Sequence, residues 1–320
     1  MPDSVRLGTV GLGAANLGNL YREVSDEQAW AALDAAWAAG IRYFDTAPHY
    51  GLGLSERRLG AFLRTKPRDE FVISTKVGRL LRPNPDFAGQ LDLAHDFAVP
   101  ASLHREWDFT ADGIRRSHEE SLERLGLDFI DALFLHDPEK HDLDAADDTA
   151  YPALAALREE GLVNAVGVGS MSTEALARAA ANPQLDLLMV AGRLTLAEQP
   201  ALEIVVPLAR ENGIRIVAAG VFNSGILARN DPGTGARYEY EEAPPELLER
   251  VRAIAAICAE HGVDLPTAAL QYTLRIDPVD TVVFGGGRAE QIAENARRMH
   301  TPVPAALWDA LSEARLIPWL

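Results

Sequence analysis

The chain is short of cysteine, of positive charge and of long apolar runs, and each shortage removes a class of protein. One cysteine, Cys258, among 320 residues excludes an intramolecular disulfide and a thiolate metal cluster. Lysine and arginine number 30 against 47 aspartates and glutamates, a formal net charge of -17. That balance argues against nucleic acid or an anionic membrane as a partner of the whole molecule, although a local pocket on an acidic protein can still hold an anion. The sequence has no basic-then-apolar leader and no apolar run long enough to span a bilayer, so the expected setting is the cytoplasm. Metal-ligand spacing is missing too, as is a nucleophile with its base. Nothing in the sequence signals an oligomeric state.

What is present is an ordinary globular composition, 48% hydrophobic and 24% charged, with length enough for a large core. A prior of about 150 residues per domain suggests two domains, but α/β barrels routinely exceed it as one unit. Apolar strand-like runs alternate with amphipathic segments along the chain. The expected strands are Leu7 to Gly13, Ile41 to Phe44, Phe71 to Lys76, Phe129 to Leu135, Val163 to Val168, Leu185 to Val190, Ile214 to Ala219 and Thr281 to Phe284. Helical spacing lies between them, as in Glu27 to Ala39 stopped by Gly40, Asp112 to Leu125, and Ala289 to Met299. Eight such units favour a (β/α)8 barrel, a single domain over residues 1–320, above a doubly wound sheet.

Three stretches break the alternation. Residues 78–109 carry Pro83, Pro85 and Pro100 and read as a long loop forming a lid. The aromatics Phe87, Phe97, Trp107 and Phe109 in it read equally as a stacking wall for a ring-shaped ligand and as plain packing. Residues 230–245 read as a second loop after the seventh strand, followed by two helices where the repeat needs one. The acidic tract Asp137 to Asp148 reads as a solvated surface loop.

The chemistry centres on Ile41 to Gly60. Asp45 ends a strand, Tyr50 follows on a loop with Gly51 and Gly53, and Ser55 with Glu56 opens a helix. Alone, Asp45 is a cap or turn former and Tyr50 a surface ring. Lys76 and His136 also end strands, and in a parallel barrel all four arrive at one face. A lysine paired with a carboxylate beside a phenol stabilises phenolate, so the phenol is expected to have a depressed pKa and to exchange a proton near neutral pH. A histidine nearby orients a substrate oxygen or assists the proton step. Acid–base chemistry on a carbonyl or carbinol is the reading left, and it needs a separate hydride carrier.

These residues sit in motifs that resemble the aldo-keto reductase superfamily over nearly the whole chain: DTAPHYG with SERRLG, STKVG, LFLH, VGVG, AGRLTLAEQ, GVFNSGIL and VVFGGGRAEQIAEN. The resemblance implies a catalytic tetrad of Asp45, Tyr50, Lys76 and His136, and NAD or NADP as cofactor, with an inclination to NAD. It places Phe222 against the nicotinamide, with the backbone from Phe222 through Asn223, Ser224 and Gly225 to Leu227 on the pyrophosphate. It assigns Gly286, Gly287 and Arg288 to an anion site at a helix start, Arg288 being the residue for a 2′-phosphate. Gln291, Glu294 and Asn295 fall on the adenine side. Where most members have Ser-Asn to hold the carboxamide this chain reads Gly169-Ser170-Met171, so Ser170 is the remaining candidate. The loops look most like the D-threo-aldose 1-dehydrogenase, L-fucose dehydrogenase and pyridoxal 4-dehydrogenase branch. That implies oxidation of a small sugar at its anomeric hydroxyl, at a rate that rises with pH as Tyr50 ionises. The alternatives are a general aldehyde reductase and a non-catalytic nicotinamide-binding subunit; a phosphate-binding barrel isomerase or lyase would not require Tyr50.

Overall fold

Short apolar strands separated by helices need both faces covered, and a parallel sheet closed on itself inside a ring of helices covers them. The computed structural model describes residues 5–233, 237–238 and 241–320. Its strands in chain order are β1 (Val10–Gly13), β2 (Tyr43–Asp45), β3 (Val72–Val77), β4 (Arg79–Pro83), β5 (Leu103–Trp107), β6 (Ala132–His136), β7 (Ala165–Ser170), β8 (Leu187–Ala191), β9 (Arg215–Ala219), β10 (Arg237–Tyr238), β11 (Glu241–Glu242) and β12 (Val279–Gly285). Eight of them close into a barrel in the order β1, β12, β9, β8, β7, β6, β3, β2, every pairing parallel. These are the eight expected runs, their ends shifted by at most three residues.

The helices are α1 (Asp26–Ala38), α2 (Leu54–Leu63), α3 (Ala111–Leu125), α4 (Leu143–Ala145), α5 (Tyr151–Glu159), α6 (Thr173–Ala180), α7 (Val205–Glu211), α8 (Pro245–Glu260), α9 (Leu265–Tyr272), α10 (Ala289–Met299) and α11 (Ala305–Glu313). Local chemistry sets several of their ends. Ser25 and Gln28 form a reciprocal capping box at α1, and the Thr110 hydroxyl accepts from the Gly113 amide at α3. Sequence reasoning missed α11, which packs on α8.

Residues 78–109 are not a structureless lid. β4 and β5 pair as an antiparallel hairpin, Arg79 opposite Trp107 and Pro83 opposite Leu103. Bridges from Leu20 to Phe97 and from Leu91 to Pro100 fasten its tip. In the 230–245 loop, residues 234–236 and 239–240 lie outside the described residues; β10 and β11 are antiparallel there. The barrel interior is filled by Tyr43, Phe134, Leu187, Met189, Val217 and Val283, while a larger apolar layer lies between strands and helices. Gly11 is required beside this filling, because a Cβ there would overlap the Tyr43 ring. Among the described residues no helix is long and apolar enough to cross a membrane.

Candidate active site

Side chains two residues apart on a strand share a face, so the inward residues of neighbouring strands stack in layers. Tyr43, Ser74 and Phe134 face the barrel interior, and Asp45, Lys76 and His136, each two residues further on, face it at the C-terminal mouth. The register brings them together: Asp45 lies beside Ser74, and Lys76 beside Phe134. Lys76 Nζ donates to Asp45 Oδ2 at 2.6 Å and to the Thr46 carbonyl at 2.9 Å. Ser74 donates to Asp45 Oδ1 at 2.7 Å, and its hydroxyl is 2.9 Å from the Tyr43 hydroxyl. The Lys76–Asp45 pair is almost sealed, with 3% and 4% of the two side chains exposed.

Tyr50 reaches this pair from the β2–α2 loop. Gly51 there has φ +62°, and a Cβ on it would overlap the Gly18 carbonyl oxygen, so the loop can press against the segment after β1 only with glycine at this position. Ser55 holds the loop's other end, bonded to Thr46 Oγ1 at 2.8 Å and donating to the Ala14 carbonyl at 2.7 Å. Lys76 Nζ lies 4.8 Å from the Tyr50 ring centroid, and the His136 ring meets that ring edge-on at 5.8 Å. The four residues singled out in the sequence are therefore one cluster.

Their protonation is set by burial as much as by charge. Burial disfavours the Lys76 cation, but Asp45 and then Tyr50 more than reverse this and hold its pKa above the ordinary lysine value. Burial raises the Tyr50 pKa, and the opposing pull of Lys76 does not cancel it. The expectation of a depressed phenol pKa is thereby corrected for the free protein: desolvation of the phenolate outweighs its one cation. His136 is pushed well below the usual histidine range by burial, then by Arg79 and Lys76, so at neutral pH it is an uncharged imidazole. A neutral imidazole can hold a substrate oxygen while phenol and ammonium exchange a proton with it.

Two ion pairs that sequence reasoning missed frame the cluster. Arg105 of β5 grips Asp92 through Nη2 at 2.6 Å and Nη1 at 2.9 Å. It also donates to His49 Nδ1 at 2.6 Å and to the His49 carbonyl at 2.8 Å. The hairpin is thus bound to the residue preceding Tyr50. Arg79 of β4 donates to Asp137 at 2.6 Å, under the face of Trp107 at 4.3 Å. Asp137 is therefore buried and not part of a solvated loop; its buried partner Arg79 comes from 58 residues away, a distance that local reading does not cross. Phe97 and Phe109 are buried packing residues and Trp107 stacks on His141, and none of the four aromatics lines the cavity described next.

A cavity of about 870 Å³ runs from Tyr50, Lys76 and His136 across the ends of β8 and β9 to the start of α10. Ser170, Phe222, Asn223, Ser224, Gly225, Gly286, Gly287, Gln291, Glu294 and Asn295 all line it. A dinucleotide fits these residues. Phe222 offers a half-buried ring, the first-turn amides of α10 have no partners within the helix, and Asn223 Oδ1 is buried without a partner. Three expectations are modified. The amides of Gly225, Ile226 and Leu227 are spent on the Phe222 and Asn223 carbonyls, and Leu227 is fully buried beneath the lining. Arg288 is exposed and does not line the cavity; Arg298 does, held by Asp264, Asn295 and Glu294. The Ser170 hydroxyl already donates to Glu139 at 2.8 Å and accepts from the Ser172 amide, so Glu139 comes with it as a polar group at that corner. Position beside known residues was the available signal: Asp137 and Glu139 follow His136 within HDPE, and His49 precedes Tyr50.

A closed parallel barrel with this cluster at its C-terminal mouth defines a class, and the chain belongs to the aldo/keto reductase family, whose model matches residues 9–315. It is an oxidoreductase of that family, which works with a nicotinamide cofactor. Among curated relatives, it is 60% identical to the D-threo-aldose 1-dehydrogenase of a Pseudomonas species, over 97% of this chain and 94% of that one. Pyridoxal 4-dehydrogenase of Microbacterium luteolum is 36% identical over 96% of this chain and 94% of its own length, and L-galactose dehydrogenase of Arabidopsis thaliana 30% over 91% and 84%. An aldo-keto reductase from Bacillus halodurans, solved in its holo form, superposes with a TM-score of 0.76 at 23% identity, covering 98% of this chain and 94% of that one; it supports the fold alone.

Proposed function

We propose that this protein, as one barrel domain, oxidises the anomeric hydroxyl of a free aldose in its ring form to the lactone. The observation that carries this reading is the 60% identity with D-threo-aldose 1-dehydrogenase along nearly the whole chain. The buried Lys76–Asp45 pair beneath Tyr50 supports it. When bound, the oxidised nicotinamide accepts the hydride. Tyr50 takes the hydroxyl proton; Lys76 stabilises the phenolate form that does so, against the burial that disfavours it in the free protein, Asp45 holds Lys76, and neutral His136 orients the reacting oxygen. One C–H bond is lost as hydride and one O–H bond as a proton, which balances the two-electron oxidation.

Gly286, Gly287, Gln291 and Asn295 would hold the adenosine end, with Ser170 and Glu139 near the carboxamide. Arg298 is already engaged by two carboxylates and an amide, which leaves little positive charge for a 2′-phosphate. We therefore assign NAD as the preferred dinucleotide. Catalytic efficiency with each cofactor checks this: a preference for NADP that disappears in Arg298→Ala would overturn the assignment.

The substrate test is a panel of L-fucose, D-arabinose, L-galactose and pyridoxal with oxidised cofactor, beside simple aldehydes with reduced cofactor. Aldose oxidation is expected, and Tyr50→Phe is expected to lose about 10²–10⁴-fold in turnover with cofactor affinity nearly unchanged. Fast aldehyde reduction without oxidation of any sugar or of pyridoxal would leave the general aldehyde reductase standing.

A further inference from the structure

Asp137 follows His136 directly and turns back toward the mouth, with φ at +46°. Its amide donates to the Gly169 carbonyl at 2.9 Å, which fixes the turn. Three groups face one of its carboxylate oxygens. Arg79 Nη2 lies 2.6 Å from Oδ2, Lys140 Nζ 3.2 Å and His136 Nε2 3.7 Å. With Oδ2 pinned, rotation of the carboxylate is blocked. The second oxygen, Oδ1, accepts no hydrogen bond among the described residues, yet Asp137 lines the cavity with Tyr50, Lys76 and His136. That oxygen is still open to solvent in the free protein, so a ligand that fills the cavity displaces its solvent and has to supply a donor in return.

Resting on the aldose reading, we propose that Asp137 is a substrate-binding residue: Oδ1 accepts a hydrogen bond from the sugar hydroxyl on the carbon next to the reacting one. A carboxylate only accepts, and the hydroxyl on the carbon next to the anomeric one is a donor three bonds from the oxygen that His136 holds. The contact discriminates. A simple aldehyde that covers the oxygen brings it no donor, whereas a sugar does. The hairpin takes part indirectly, because Arg79 sets the carboxylate's orientation and Trp107 covers Arg79.

The experiment compares the aldose that the wild type oxidises best with its 2-deoxy counterpart, for example L-fucose and 2-deoxy-L-fucose. Wild type is expected to favour the hydroxylated sugar by about tenfold or more in kcat/KM, the usual scale of a charge-assisted hydrogen bond. In Asp137→Asn and Asp137→Ala that ratio is expected to fall toward one, through KM more than kcat, with the affinity for reduced nicotinamide, read by its fluorescence, unchanged. A purely structural role for Asp137 would lower both sugars equally and keep the ratio, and that result would overturn the proposal. If Ala fails to fold, the Asn variant alone decides. Wild-type protein that oxidises no aldose would instead reject the aldose reading itself, and this assignment with it.

Discussion

Replacing Lys76 with methionine separates what the buried pair does for stability from what it does for chemistry. Asp45 takes a hydrogen bond from Ser74 and an ion pair from Lys76, and 4% of its side chain is exposed. In Lys76→Met the carboxylate keeps only the serine. Breaking a buried pair in this way costs about 3–5 kcal/mol, because the remaining charge is stranded. At roughly 2 °C per kcal/mol in a large chain, the melting temperature should fall by roughly 6–10 °C. Adding Asp45→Asn removes the stranded charge. The double variant should therefore recover most of the lost stability, since a buried pair exchanged for neutral groups of similar volume is close to neutral. Turnover should not recover: Tyr50 has lost the charge that lowers its pKa, and a loss of about 100-fold or more should persist in both variants. Thermal melts and steady-state oxidation on the same preparations measure both effects. A double variant no more stable than Lys76→Met would refute the stranded-charge argument, and one with wild-type turnover would remove Lys76 from the chemistry.

Two further predictions follow from protonation. Because burial raises Tyr50 above the ordinary phenol value, the free enzyme minus its Tyr50→Phe variant should show no phenolate absorbance below about pH 10; a difference band near neutral pH would refute this balance of burial and charge. His49, His118 and His136 are all depressed, first by burial, so the unfolded chain takes up protons before the folded one does. Their contribution is fully present above about pH 6.5 and lost as pH falls below it. His118 is buried with neither ring nitrogen partnered, so His118→Leu should melt higher than wild type at pH 5, and a lower melting temperature there would count against it.

The barrel was legible because strands covered on both faces leave short, unbroken apolar runs, such as residues 132–135 of β6, punctuated by glycines and helical spacing. The clustering of Asp45, Tyr50, Lys76 and His136 was legible because barrel geometry brings strand ends together whatever their separation in sequence. The hairpin was not. Its second strand, Leu103–Trp107, alternates in exposure but carries His104, Arg105 and Glu106, and Arg105 can be buried only because Asp92 and His49 meet it. Asp137 was misread for the same reason, since its buried partner Arg79 is distant in sequence. The exchange of Arg288 for Arg298 is a matter of helix placement: one stands exposed before α10, the other a few turns along where the helix passes the cavity. The Tyr50 pKa needed the depth of its burial, which no count of neighbours supplies.

The grip of Arg105 on His49 also limits how this enzyme can be rebuilt. A hairpin at the mouth of a barrel invites exchange with the equivalent segment of a relative, as a quick route to a new substrate. Here the graft would cut a strut reaching His49, the residue beside Tyr50. A donor segment without an arginine at the register of Arg105 would leave His49 unmatched and loosen the loop that presents Tyr50. Substrate range and turnover are in that sense inherited together, and transplants at this site should be chosen by that one position before their binding surfaces are compared.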